Sequence, residues 1–181
     1  MLIRRERPGD IPSIDAVHRA AFAREYPNGS PEGAPRALAD PAEVTLVHRL
    51  RSDSGWMPTL SLVAQIHDRV IGHVCLTRAG VGPFPALALG PIGVLADRQD
   101  AGVGSALMHA ALGAADALDE PLIGLLGSLD YYPRFGFLPG ARVGIVPDQP
   151  DWTSHFQVRL LTAYGPEMTG EFHYAEPFYT L

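Results

Sequence analysis

Residues 86 to 119, ALALGPIGVLADRQDAGVGSALMHAALGAADALD, constrain the fold more than any other stretch of the chain. The run Ala86 to Leu95 is too short to span a membrane and suits a strand covered on both faces. Gly90 and Pro91 interrupt it. Proline removes a ladder donor and glycine permits unusual backbone angles, so this pair predicts a bulge that opens the strand from one neighbour. Backbone amides of Ile92, Gly93 and Val94 would then be free for a ligand.

The turn that follows, Gln99, Asp100, Ala101, Gly102, Val103, Gly104, Ser105, has two glycines where a helix must begin. Without side chains at Gly102 and Gly104, an anion can approach the N–H groups of the first helical turn and the positive end of the helix dipole. The helix is expected from Gly102 to about Asp119, with Ser105, His109, Asp116 and Glu120 as a polar stripe. Its many alanines predict close packing against a sheet.

A glycine-rich turn alone does not separate an anion site from an ordinary strand-to-helix connection. Two phosphate motifs are excluded. No Lys-Ser/Thr pair follows the glycines, as a triphosphate loop requires, and Leu107 stands where G-x-G-x-x-G needs its third glycine.

The sequence on either side reads as one α/β domain spanning residues 1–181. Leu2 to Glu6 is a candidate strand, Asp10 a candidate cap for a helix with Ile14, Val17 and Ala21 on one face. YPNGSPEGAP, from Tyr26 to Pro35, is dense in turn formers and reads as a loop. Asp40-Pro41-Ala42-Glu43 opens a second helix in capping-box style, with Val44, Val47 and Leu50 on its apolar side. Leu60 to Ile66 and Val70 to Thr77 form a strand hairpin across His67-Asp68-Arg69, a turn that lacks the usual glycine and so leaves the register open. Leu122 to Leu126, Val143 to Val146 and His155 to Thr162 are further strands, and the aromatic tail GEFHYAEPFYTL is expected to fold back on the domain. The order is β α α β β β α β α β β, a mixed α/β sandwich. Its central twisted sheet of about six to seven strands is antiparallel early and parallel around the glycine turn.

Composition narrows the partners. The 181 residues carry 14 Lys+Arg against 20 Asp+Glu, a formal charge of -6, the wrong sign for general attraction to nucleic acid or an anionic membrane. The amino terminus, MLIRRERPGD, has no signal-peptide core and no apolar run reaches spanning length, so the expected compartment is the cytoplasm. Cys75 is the single cysteine and sits in the apolar run VIGHVCLT, the setting of a structural thiol. The seven histidines include no H-E-x-x-H spacing, so no metal is expected, and Ser128 lacks the glycines of a nucleophile elbow.

A second segment follows the next apolar run: LLGSLDYYPRFGF, Leu125 to Phe137. Gln99, Gly102 and Gly104, followed at this distance by Tyr131, Tyr132, Gly136 and Phe137, resemble the GNAT superfamily of N-acetyltransferases. Its acetyl-CoA signature reads Gln/Arg-x-x-Gly-x-Gly/Ala, and its later helix often ends aromatic-Tyr-x-x-aliphatic-Gly-Phe. LGPIGV together with LLGSLDYYPRFGF is similar in particular to the bacterial YhbS-like subgroup. Ser128 and Asp130 depart from the Gly-Asp-Pro wording frequent there.

The resemblance implies a GNAT-like fold and acetyl-CoA as co-substrate, with transfer to an unidentified primary amine, small molecule or peptide, by direct attack in a ternary complex. It implies that Gln99, Asp100, Ala101, Gly102, Val103, Gly104 and Ser105 hold the pyrophosphate. Ile92, Gly93 and Val94 would pair with the pantetheine amides, an N–H near Ile92 polarising the thioester. Tyr132 would protonate the departing thiolate. No general base stands out. Water, His73 or Asp130 are the candidates, and both side chains also have structural readings, as a satisfied core histidine and a helix cap. That gap leaves a second class open, a non-catalytic acyl-CoA-binding regulatory module. A homodimer is also left open.

Overall fold

The computed structural model describes residues 1–23 and 40–180. The Tyr26 to Pro35 loop lies outside them. In chain order the elements are β1 (Leu2–Arg5), α1 (Ile11–Phe22), α2 (Ala42–Ser52), β2 (Trp56–Ile66), β3 (Arg69–Val81), β4 (Phe84–Val94), α3 (Val103–Asp116), β5 (Leu122–Leu126), β6 (Leu138–Pro139), β7 (Ile145–Pro147), β8 (Phe156–Leu160) and β9 (Gly170–His173). The strands run β1-β2-β3-β4-β5-β8-β6 across one sheet, a path of seven, with β9 added beside β3 and β7 beside β9. Among the described residues only β4/β5 and β7/β9 are parallel.

Period-two alternation decides which helix each strand residue meets. Leu62, Ala64, Leu76 and Leu87 join Leu107, Met108, Ala111 and Ala115 of α3 in one core. Val63, Val70 and Cys75 join Ile14 and Val17 of α1 and Leu46, Val47 and Leu50 of α2 on the opposite face. Each such Leu, Val or Met contributes about 1.5–3 kcal/mol through burial. The alanines let α3 lie close: a side chain on Gly72 would meet Leu107 Cδ1 at 2.9 Å. Beyond β3, Phe172 and Tyr174 pack with Ile145 and Phe156, so the aromatic tail does fold back on the sheet.

Several local expectations change. Asp10 does not cap α1 with its side chain; it pairs with Arg4 at 2.7 Å and accepts from the Arg7 N–H. Asp40 likewise turns away from α2 to Arg19, leaving Pro41 as the first flanking residue with no side-chain cap. In both cases an arginine engages the carboxylate in a charge-assisted pair instead of the first amides of the following helix. The β2–β3 hairpin closes through His67, which adopts φ 51, one of the residue types that tolerate this region. The helix expected after β5 is only a 3-10 turn, Tyr132–Phe135, because Pro133 lacks an N–H and Gly136 leaves the helical region at φ 81. The Val143 to Val146 strand divides into a 3-10 turn, Gly140–Val143, and β7.

Candidate functional site

The bulge expected at Gly90-Pro91 is present. Val74 pairs with Ile92 and Leu76 with Leu89, so Gly90 and Pro91 together face Cys75 alone. Gly90 is needed there: a Cβ would lie 2.7 Å from Cys75 Sγ. β4 pairs with β5 only at Leu87 and Ala88, opposite Ile123 and Gly124. Past that point β4 stays with β3 to Val94 while β5 stays with β8. The two parallel strands therefore part, and Ile92, Gly93 and Val94 form one wall of the opening.

The glycine turn delivers α3 to the same place. Gln99 is anchored by its side-chain amide to the Val94 carbonyl at 3.1 Å. Asp100 at φ 58 and Gly102 at φ 80 turn the chain, while Ala101 is exposed beside them. Ala106 N–H is the first to bond back, to Gly102 O at 3.0 Å. The amides of Val103, Gly104 and Ser105 have no earlier carbonyl in the helix to accept from them, and they carry the positive end of its dipole. Val103 itself is buried under the sheet; Gly104 and Ser105 are half-buried. A Cβ on Gly104 would sit 3.1 Å from Tyr131 Oη and 3.8 Å from Val94 Cγ2, so β4, α3 and the loop after β5 converge on this glycine.

Tyr132 lies on the other side of the opening. Its ring covers Gly127 just beyond β5 and meets Tyr131 and Phe137 edge to face at 5.1 and 5.8 Å. Burial, and then Tyr131, push the Tyr132 phenol up to about 12. Tyr131 was not singled out as a separate functional group in the sequence, yet its hydroxyl is the one at the helix N-terminus. Asp130 is exposed. Cys75 is fully buried, which pushes its thiol up to about 12, as befits a structural side chain.

His73 occupies a buried polar chain. Its Nδ1 is 2.8 Å from His18 Nε2, and its Nε2 is 3.0 Å from Ser61 Oγ and 3.4 Å from Glu6 Oε2. Ser61 bonds Glu6, and Arg51 grips both Glu6 oxygens at 2.8 and 3.2 Å. Burial alone would raise the Glu6 carboxyl, but hydrogen bonds from His73, Arg51 and Ser61 outweigh it and bring it down to about 2. His18, Glu6, Ser61 and Arg51 were not marked by sequence reasoning. The one signal was a histidine on the apolar face of α1, a turn after Ile14.

A groove of about 690 Å³ runs elsewhere, between α3, β8 and the turn at Arg134 to Gly136, and none of the expected site residues lines it. Among the described residues no cluster of three metal-ligating side chains occurs, and no helix is long and apolar enough to cross a membrane.

Parallel strands parted beside a glycine-started helix, on a mixed sheet with helices on both faces, match the acetyltransferase (GNAT) fold. The chain belongs to the acetyltransferase (GNAT) family, whose model matches residues 21–137. Two uncharacterized N-acetyltransferases of Escherichia coli are similar: YhbS is 31% identical over 182 residues, 98% of each chain, and YjhQ is 31% identical over 150 residues, 78% of this chain and 83% of its own. The crystal structure of Escherichia coli YhbS in complex with CoA has a TM-score of 0.82 at 30% identity, covering 98% of this chain and 91% of its own. A GNAT family acetyltransferase from Brucella melitensis, solved with acetyl-CoA, has a TM-score of 0.73 at 30% identity over 98% and 97%.

Proposed function

We propose that the chain is an acetyl-CoA-dependent N-acetyltransferase that brings acetyl-CoA and an amine together for direct attack. The observation that carries this reading is the parting of β4 from β5 beside the free amides of Val103, Gly104 and Ser105. An anion fits the amides, and an extended ligand with amide groups fits the unpaired edge at Ile92, Gly93 and Val94. The CoA bound to the Escherichia coli relative and the acetyl-CoA bound to the Brucella relative supply the ligand's identity by analogy.

Each residue then has a chemical task. The α3 amides offset the pyrophosphate charge, and the edge of β4 aligns the pantetheine arm. An N–H near Ile92 polarises the thioester carbonyl as negative charge develops on its oxygen. Tyr132 donates to the sulfur as the C–S bond breaks. A phenol raised to about 12 stays protonated at any working pH, as a donor must, but is a weaker acid than free tyrosine. Its contribution belongs near the lower end of the general-acid range, about 10²-fold. The acceptor is an amine, small molecule or peptide, and a net charge of -6 favours a cationic one.

Thermal melts with acetyl-CoA, desulfo-CoA and NAD test the donor site. At about a hundred times the dissociation constant, linkage adds roughly 2.7 kcal/mol. Both CoA compounds should raise the melting temperature and NAD should not; no shift with either, or an equal shift with NAD, sinks the assignment.

A further inference from the structure

The groove of about 690 Å³ between α3, β8 and the turn at Arg134 to Gly136 lies on the α3 side of the sheet, outside the donor site. It exists because the chain after β5 makes one 3-10 turn, Tyr132–Phe135, and then enters β6. The side of β8 that faces α3 therefore stays open beyond Phe135. Arg159 of β8 is opposite Ile123 of β5, and Ile123 belongs to the α3 core, so the strand pairing sends the Arg159 side chain to this same face.

The charges in the groove are unbalanced. Arg4, Arg19, Arg51, Arg69 and Arg78 each pair with a carboxylate. Arg134 and Arg159, both in the groove wall, have no carboxylate partner among the described residues. The chain carries 20 Asp+Glu against 14 Lys+Arg, so the two are not unpaired for want of carboxylates. Arg134 lies over the Tyr131 ring at 4.7 Å and reaches only the Asp130 carbonyl, at 3.5 Å. Arg159 makes no hydrogen bond among the described residues: its Nε is buried without a partner, while Nη1 and Nη2 are left to the groove. Gly136 keeps this guanidinium in place. A Cβ there would lie 2.9 Å from Nη1 and 3.0 Å from Cζ, so glycine, at φ 81, lets the turn rest against it.

Among the described residues the one carboxylate lining the groove is Asp116, at the end of α3. It accepts from the Thr162 N–H at 2.9 Å and from Thr162 Oγ1 at 3.2 Å, and it pairs with neither arginine. Leu112 of α3, Phe135 of the turn and Leu161 just past β8 supply an apolar lining. A cavity of this volume, mostly apolar with a few convergent polar groups, is the ordinary form of a small-molecule site, which spans about 300–1,000 Å³.

We propose that this groove is a second ligand site, for a small organic anion, a carboxylate or phosphate ester with a compact apolar body, whose charged head is held by Arg134 and Arg159. The planar guanidinium donates two parallel N–H bonds to either kind of oxyanion, and the terminal nitrogens of Arg159 are the ones free to do so. The head belongs beside Arg134 and the middle of α3. The end of the helix would repel it, through Asp116 and the negative pole of the dipole, which acts only over the last turn. The body then lies along Leu112 and Leu161. An anion here offsets the cost of two cations held without counter-charge, and the site does not depend on what occupies the parted strands.

Nitrogen-15 NMR titrations of the full chain use phenyl phosphate, benzoate and the neutral benzyl alcohol as probes, each with and without desulfo-CoA. One or both anions should shift the backbone amides of His109, Leu112, Gly113 and Gly136 at similar concentrations in the two conditions, and benzyl alcohol should leave them unmoved. The tighter anion names the head group as phosphate or carboxylate. Arg159→Gln should weaken that binding by about tenfold or more, the loss of one charge-assisted contact. Arg134 is exposed, so Arg134→Gln keeps the fold and should weaken it likewise. No shift of the groove amides with either anion up to about 10 mM, or an equal response to benzyl alcohol, would overturn the proposal. So would unchanged affinity in a folded Arg159→Gln or Arg134→Gln protein, or displacement of the anion by desulfo-CoA, which would place it at the start of α3 instead.

Discussion

The Tyr131 hydroxyl stands directly over Gly104, 3.1 Å from where a Cβ on that residue would lie, while the ring of the adjacent Tyr132 covers Gly127 just beyond β5. Neighbouring tyrosines therefore face two different elements, the start of α3 and the end of β5. On the proposed donor-site reading, Tyr131, with the Arg134 guanidinium 4.7 Å from its ring centre, would contact the phosphates. Tyr131→Phe should weaken CoA binding by about tenfold or more, the size of one hydrogen bond to a charged group, as read by calorimetry. Unchanged affinity would remove Tyr131 from the phosphate site.

Gly104→Asp adds bulk beneath Tyr131 and a negative charge where a phosphate would bind. CoA binding should be lost while circular dichroism shows a folded protein, because Gly104 is only half-buried and its Cβ otherwise meets Val94 Cγ2 at 3.8 Å. A folded variant with unchanged CoA affinity would mean that the phosphates sit elsewhere.

Tyr132→Phe keeps the packing on Gly127 and Phe137 and removes only the donor. Single-turnover transfer should slow by about 10²-fold with acetyl-CoA affinity nearly constant. Equal rates would leave Tyr132 as a packing residue, with water delivering the proton.

The bulge depends on Gly90. Gly90→Ala drives a methyl to 2.7 Å from Cys75 Sγ and 3.3 Å from the Cys75 carbonyl, and should cost about 1–3 kcal/mol in a urea melt. Adding Cys75→Ala should recover part of the loss, since the closer clash is with sulfur. No recovery would place the strain in the backbone instead.

Stability should fall with acid in two stages. His18 and His73 are both held below the ordinary histidine value, first by burial, so the unfolded chain binds more protons as pH drops through about 6.5 and stability declines there. Glu6, at about 2 when folded against 4.5 otherwise, contributes fully above 4.5 and loses that contribution as pH falls toward 2, on the order of 2 kcal/mol after solvent screening. Melts of His18→Asn/His73→Asn should lack the first stage; a retained slope near pH 6.5 would assign it to other groups.

The segments legible in the sequence were those whose signal is local. Gly90-Pro91 announces a bulge because no ordinary strand accommodates both residues, and Gly102 and Gly104 announce a helix start open to an anion. The β2–β3 hairpin and α3 follow from the spacing of Leu60, Leu62, Ala64 and of Val103, Leu107, Ala111. Asp10 and Asp40 misled because a capping residue is identified by position, whereas the choice between a backbone amide and Arg4 or Arg19 depends on where those arginines arrive.

What the sequence determined by itself is the unit from β4 through the glycine turn to α3, since strand interruption, turn and amphipathic helix are properties of neighbouring residues. Tertiary structure alone decided the parting of β4 from β5, the separate placement of Tyr131 at Gly104 and Tyr132 at Gly127, and the chain from Glu6 through Ser61 and His73 to His18. Residues 6, 18, 61 and 73 come respectively from just past β1, α1, β2 and β3, so only the pairing of the strands and the packing of α1 on the sheet bring their side chains within hydrogen-bonding distance. No periodicity encodes that meeting, because it depends on the distance and rotation between elements, which the whole core sets.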